Sequence, residues 1–235
     1  MSTFEAVFAA AEPAITAHLA SIEQHAAALE LLGAEPPPAP RWTQDWFPRL
    51  DAAAAYSMVR RFRPRRIVEV GSGHSTRFLA RAALDGTTGT TLTAIDPAPR
   101  ATLAGLEIEL LKTRIQEAGD APFARLAEGD FLVIDSSHKM APGSDVELLI
   151  ERVLPALPMG AYVHFHDIFL PDGYPRGWEW RRYNEQHAVA RLVAGEYVQE
   201  FSSHQALKQR ALSGVLVRLP LVPGAVESSL WLRKL

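Results

Sequence analysis

Two short stretches concentrate side chains able to move protons or hold a cation: Asp135-Ser136-Ser137-His138 and His166-Asp167. Together they offer two carboxylates and two imidazoles. An imidazole titrates near neutrality, which suits His138 to work as a general base. Asp135, His166 and Asp167 form a donor set for a divalent metal, and the imidazole among them favours Mn, Fe, Co or Zn over Mg. Plainer roles compete. His138 could instead orient Asp167 by hydrogen bonding, and His164, on the same strand face as His166, reads as a hydrogen-bonded core histidine. Ser136 and Ser137 suggest a nucleophile pair, yet no G-x-S-x-G elbow surrounds them, so hydrolysis is set aside.

A third stretch could hold a ligand. Ile67 to Val70 is a β-branched run that reads as a buried parallel strand, and it ends in Gly71-Ser72-Gly73. Ser75-Thr76 and an apolar run (Phe78, Leu79, Ala82, Leu84) then predict a helix. Glycines let the backbone approach a ligand closely, and free amides at the helix start favour a polar or anionic group. Asp96 follows 25 residues after Gly71, at the end of the next strand, where a carboxylate can accept from ribose hydroxyls. That suits NAD, but the third glycine of the dinucleotide fingerprint is replaced by Thr76, with His74 and Ser75 adding bulk.

The elements that must position these residues alternate. Residues 4–32 read as a helix with a stripe of Ile15, Leu19, Ile22, Ala26 and Leu29, stopped by Gly33. The stripe is a packing face, and it also allows a homodimer or a lid over a pocket. Glu35 to Pro40 form a stiff linker. Trp42, Trp46 and Phe47 follow as an aromatic cluster, read either as core anchors or as a pocket wall. Asp51 is expected to cap a helix over 52–63, ended by Pro64. Strands are expected at 91–95, 108–116, 130–134 and 161–165, with helices at 121–128 and 145–154. Two late strands, 197–204 and 212–219, are expected to pair as a hairpin. This rhythm predicts an α/β domain with a parallel sheet. Four of the strands end in polar residues (Gly71-Ser72, Asp96, Asp135, His166-Asp167), and open sheets of this class bind ligands at those ends.

Composition bounds the rest. The chain has 235 residues, 48% hydrophobic, enough for one full domain and an appendage. Net charge is −3 with no long basic run, which disfavours nucleic acid as a partner. The absence of cysteine excludes disulfides and thiolate chemistry and fits a reducing cytoplasm. Neither a signal peptide nor a membrane span is expected. A cytoplasmic protein in two parts follows: a helical extension and linker over 1–40, and the main domain over 41–235.

Val68-Glu-Val-Gly-Ser-Gly-His-Ser-Thr76, Asp130-Phe-Leu-Val-Ile-Asp-Ser-Ser-His138 and His164-Phe-His-Asp-Ile-Phe-Leu-Pro171 resemble the class I S-adenosylmethionine (SAM)-dependent methyltransferases, a bacterial small-molecule subgroup above all. The resemblance implies a Rossmann-like fold and SAM as cofactor. It implies that Glu69, Gly71, Ser72, Gly73 and Ser75 border the methionine part of SAM, that Asp96 holds the ribose, and that Gln116 or Glu117 lies near the adenine. It also brings strands four and five together, so that Asp135, His138, His166 and Asp167 converge beside the sulfonium. Methyl transfer to a hydroxyl then needs alignment and deprotonation, by a metal on Asp135, His166 and Asp167, by His138, or by both. Residues 171–185 follow strand five as an aromatic, arginine-rich insertion. Tyr174, Trp178, Trp180 and Arg182 are its candidate contacts to a small-molecule acceptor, with Trp46 of the earlier aromatic loop. Metal-free N- or S-methylation and a non-catalytic SAM-binding protein are the competing expectations.

Overall fold

The computed structural model describes residues 3–235, with side chains from residue 6 onward. One seven-stranded sheet organises the chain, in the order β3-β2-β1-β4-β5-β7-β6. Its strands are β1 (Arg66–Val70), β2 (Thr91–Ile95), β3 (Glu109–Leu111), β4 (Phe131–Ile134), β5 (Tyr162–Phe165), β6 (Tyr197–Ser202) and β7 (Leu230–Lys234). The first five are parallel, while β7 runs antiparallel to both β5 and β6. The expected Rossmann-like α/β class with antiparallel C-terminal strands is what forms. β1 and β4 are neighbours at the centre, where strand order reverses.

Burial explains which strands the pattern revealed. β4 is apolar, β5 is apolar but for His164, and both are buried along their length, as a central strand covered on both faces must be. β3 is shorter than the expected 108–116. It pairs on one side only, its residues are partly exposed, and Arg114 turns the chain into helix α6 (Ile115–Ala118). The hairpin expectation fails in its second strand. Residues 215–218 are helical, and the true partner of β6 is β7, reached through a long connection. A short apolar run cannot declare helix or strand by itself; Trp231 becomes a strand residue because it packs centrally on Phe131 and His164.

The region expected as one helix is three: α1 (Thr3–Ala10), α2 (Glu12–Gln24) and α3 (Ala26–Leu31). Pro13 sits in the first turn of α2, where its missing amide is harmless, and His25 leaves helical geometry between α2 and α3. Ile15, Ile22 and Leu29 are completely buried in one core with Trp42, Phe47, Phe78 and Trp231. The extension's apolar stripe is thus spent on the main domain. Helix α4 (Arg49–Phe62) packs beneath it, next to α5 (His74–Gly86). Asp51 does not cap α4. It lies in the first turn, fully buried, and accepts from the amides of Ser228 and Ser229. The remaining helices are α7 (Ala121–Ala124), α8 (Asp145–Leu148) continuing through a π turn (Leu149–Val153) into α9 (Leu154–Ala156), a 3-10 segment (Arg176–Arg181), α10 (Gln186–Val193), α11 (Ser203–Gln209) and α12 (Val215–Arg218). Among the described residues no helix is long and apolar enough to cross a membrane.

Candidate active site

The turn after β1 is shaped by a backbone collision narrowly avoided. Gly71 has φ +82°, and a Cβ there would lie 1.9 Å from the Asp135 carbonyl oxygen at the end of β4. Only glycine satisfies both conditions. Asp96 braces the turn from β2: its Oδ2 accepts from the Ser72 amide at 2.7 Å and the Ser72 hydroxyl at 2.9 Å, and its Oδ1 accepts from the Ala98 amide. Glu69 braces it from behind. Ser75 Oγ and Thr76 Oγ1 each donate to Glu69 at 2.6 Å, and Thr76 Oγ1 accepts from the Gly73 amide. Burial outweighs these hydrogen bonds and pushes the Glu69 carboxyl up to about 8, so it is largely neutral at pH 7. Glu69 therefore supports the turn from behind, and its side chain is not among those lining the cavity.

A cavity of about 660 Å³ opens at the carboxyl ends of the parallel strands. Gly71, Ser72, Gly73, Ser75, Asp96, Gln116, Asp135, His138, His166 and Asp167, all candidate site residues, line it, joined by Trp46 and Trp178. A Cβ added at Gly73 would meet no atom within 4 Å, so the turn presents open space to an occupant. Gln116 lies on α6, past the end of β3, and donates to the Gly143 carbonyl at 3.0 Å across one rim. The volume suits a small molecule or cofactor, for which pockets run roughly 300–1,000 Å³.

Beside the glycine turn the polar strand ends of β4 and β5 meet. Asp135 follows β4 and His166-Asp167 follows β5; the pairing of β4 with β5 brings them together. His138 Nε2 lies 3.3 Å from Asp135 Oδ1 and 3.6 Å from Asp167 Oδ2, and His166 Nδ1 lies 3.5 Å from a carboxylate oxygen of each. His138 (φ +59°) and Asp167 (φ +58°) both take the left-handed conformation, uncommon for such residues, and Asp167 is thereby turned out of the strand direction. Each imidazole has a buried carboxylate behind it. His138 Nδ1 is 2.9 Å from Glu185 Oε2, and His166 Nε2 is 3.2 Å from Asp51 Oδ2.

Charge follows geometry. Burial pulls both His138 and His166 down, but the surrounding carboxylates win and hold both rings well above the ordinary imidazole range. Asp135 moves the other way: burial raises it, and the two histidines more than reverse that, leaving it well below the usual carboxylate range. Glu185 is pushed up by burial despite His138 beside it. His164 stands apart from the cluster. Burial lowers it to about 3, and Nε2 meets Ser229 Oγ at 2.8 Å, as expected of a core histidine.

The same arrangement bears on the metal expected at Asp135, His166 and Asp167. Among the described residues no group of three or more histidine, aspartate or glutamate side chains is disposed to hold a metal ion. Each ring has a carboxylate at either nitrogen, and His138 Nε2 and His166 Nδ1 both lie 3.3–3.6 Å from the Asp135 and Asp167 carboxylates.

The insertion after β5 places its side chains unevenly. Trp178 reaches the cavity; Tyr174 does not, accepting instead from the Gln186 amide and packing on Phe169. Arg182 takes a left-handed conformation (φ +56°) and stays off the cavity. Its neighbour Arg181 lines it, lying over Trp178 at 4.1 Å and 3.9 Å from Asp167 Oδ2. Trp46 forms a second such pair with Arg100 on the cavity wall. Arg181, Tyr183 and Arg100 were missed. The aromatic and arginine-rich composition of 171–185 pointed to the segment, but not to which arginine turns inward.

Residues 68–168 match the family model of a methyltransferase domain. No curated protein matches the chain in sequence. Among solved structures, the chain is similar to the SAH-bound Podospora anserina methyltransferase PaMTH1, at 16% identity and TM-score 0.47, covering 92% of this chain and 88% of that one. It is also similar to the Bacillus cereus O-methyltransferase in complex with SAH, at 16% identity and TM-score 0.45, covering 93% and 91%. A third is cmcI with Mg and SAM, at 15% identity and TM-score 0.45, covering 87% and 88%.

Proposed function

We propose that the chain, whose residues 68–168 match the family model of a methyltransferase domain, transfers a methyl group from SAM to a hydroxyl of a small-molecule acceptor. One observation carries the reading: the glycine turn after β1 and the carboxylate–imidazole cluster after β4 and β5 line a single cavity, side by side at the strand ends. Gly71, Ser72 and Gly73 offer backbone at close range, Asp96 retains lone pairs for ribose hydroxyls, and Gln116 stands at the far rim. Bound there, SAM supplies an activated methyl group on a sulfonium.

The chain's own residues do the rest. Asp135 and Asp167, with His166, orient the acceptor hydroxyl by hydrogen bonding and favour positive charge beside it. His138 takes the hydroxyl proton on Nε2, the nitrogen that faces Asp135 and Asp167. The carboxylates that raise its pKa make the neutral ring a stronger base and stabilise the imidazolium it becomes. Trp46, Trp178 and Arg181 flank the acceptor, and Arg181 beside Trp178 suits a flat or acidic molecule.

Calorimetric titration of SAM into metal-stripped protein, followed by elemental analysis of protein purified without chelator, tests the reading. SAM binding with no stoichiometric metal is expected. Failure to bind SAM under any condition overturns it. Stoichiometric metal lost in Asp135→Ala and Asp167→Ala would move deprotonation from His138 to a metal-bound hydroxyl.

A further inference from the structure

The insertion that covers the cavity ends in a segment built to grip the loop carrying His138. The amides of Asn184 and Glu185 both donate to the His138 carbonyl, at 3.1 and 3.3 Å. The Asn184 side chain accepts from the Met140 amide at 2.7 Å and donates to the Met140 carbonyl at 3.1 Å. Tyr183 places its ring 4.5 Å from the imidazole. These contacts fix where Glu185 stands relative to the ring, although the two residues are 47 apart in sequence.

Glu185 is 1% exposed, and its ordinary structural uses are missing. It occupies the N-cap position of α10 but makes no side-chain cap hydrogen bond. Its Oε1 has no hydrogen-bond partner among the described residues, and Oε2 meets His138 Nδ1. A carboxylate buried to face a single ring nitrogen is costly unless that contact does something. Burial favours the neutral carboxyl but His138 beside it favours the carboxylate; as a carboxylate Glu185 only accepts, and the proton between the two then belongs to Nδ1. With Nδ1 so occupied, the neutral ring must present Nε2 as its lone-pair nitrogen, on the side of Asp135, Asp167 and the cavity.

We propose that Glu185 is the positioning residue of His138, holding the ring as the Nδ1–H tautomer so that Nε2 is the proton acceptor. This rests on the reading of His138 as base. In the transfer it serves, the acceptor's O–H proton passes to Nε2 and an oxygen lone pair forms the new C–O bond. The C–S bonding pair returns to sulfur, and the imidazolium keeps its Nδ1–H on Glu185. Atoms and charge balance without a further reactant.

The test is nitrogen-15 NMR of the full chain labelled at histidine, with SAH bound, at a pH high enough to leave the ring one proton. His138→Gln identifies the His138 signals by their disappearance. In the unmodified protein the proton is expected on Nδ1, far downfield and protected from exchange. Glu185→Leu is expected to lose that signal and move the proton to Nε2. Should the leucine variant not fold, Glu185→Gln carries the test. An amide oxygen is a weaker acceptor than a carboxylate, so the Nδ1–H signal should shift upfield and exchange faster. A His138 spectrum unchanged in Glu185→Gln, or a proton still on Nδ1 in a folded Glu185→Leu protein, overturns the inference. Because the readout needs no turnover, its failure stands apart from failure of the function: an unmodified protein that does not bind SAH sinks the methyltransferase reading itself.

Discussion

The two walls of the cavity are built on opposite electrostatic plans. The wall after β1 is held by backbone and by a buried carboxyl kept largely neutral; the wall after β4 and β5 holds carboxylates and imidazoles with raised or lowered pKa values. The walls touch at one point, where Gly71 passes the Asp135 carbonyl. The difference separates two tasks. A neutral, rigid turn recognises a ligand by shape and amide hydrogen bonds, whereas a charged cluster manages protons and developing charge. Such a division predicts that lesions on one side spare the other, except at the point of contact.

Replacing His138 by Gln removes the proton acceptor while keeping a donor for Glu185. Methyl transfer should fall ~10²–10⁴-fold. SAH affinity by calorimetry should stay within about twofold, since His138 faces the acceptor side of the cavity; a parallel loss of both would erase the distinction between the walls. Gly71→Ala strikes the shared point, forcing a Cβ into the Asp135 carbonyl at positive φ. It should destabilise by at least ~3 kcal/mol, a fall in Tm of roughly 6–12 °C, and weaken SAH binding and turnover together. Thermal melts and calorimetry would show it.

Glu69 offers a test on the neutral side. Its folded pKa, raised to about 8, exceeds its unfolded value, so between about pH 4.5 and 8 unfolding releases a proton and stability falls as pH rises, levelling off above that window. Glu69→Gln mimics the protonated carboxyl and should flatten this dependence, by on the order of 4 kcal/mol between pH 5 and 8.5 in urea titrations. An equally steep curve in the variant would mean that the carboxyl is ionised behind the turn. The smallest effect is expected from Gln116→Ala, which removes one hydrogen bond at the rim. About 0.5–1 kcal/mol of stability and a few-fold in SAH affinity should be lost, with the acceptor step unchanged.

What was legible in the chain was local. β1, its glycine turn, β2, β4 and β5 declared themselves because buried parallel strands are short apolar runs with abrupt polar ends. Most of the candidate ligand-facing residues followed, since a strand's carboxyl end has one place to go in such a sheet. The errors share a cause. Asp51 looked like a helix cap because capping is decided within a turn, whereas its actual partners, His166 and the Ser228 and Ser229 amides, lie more than 100 residues away. β7 was overlooked because its strand character comes from the gap between β5 and β6 that it fills. Arg181 and Arg182 differ by one residue, and a left-handed backbone at Arg182 decides which of them faces the cavity.

Sequence alone determined the class of fold, the glycine turn and the inventory of carboxylates and imidazoles, because periodicity and residue chemistry are properties of neighbours along the chain. Only the tertiary structure decided how those groups are used: that Glu69 stands behind the turn, that the histidines face carboxylates at both ends, and that Glu185 is delivered to His138. Protonation and orientation depend on burial and on the nearest charge, and in a folded chain that charge comes from residues remote in sequence.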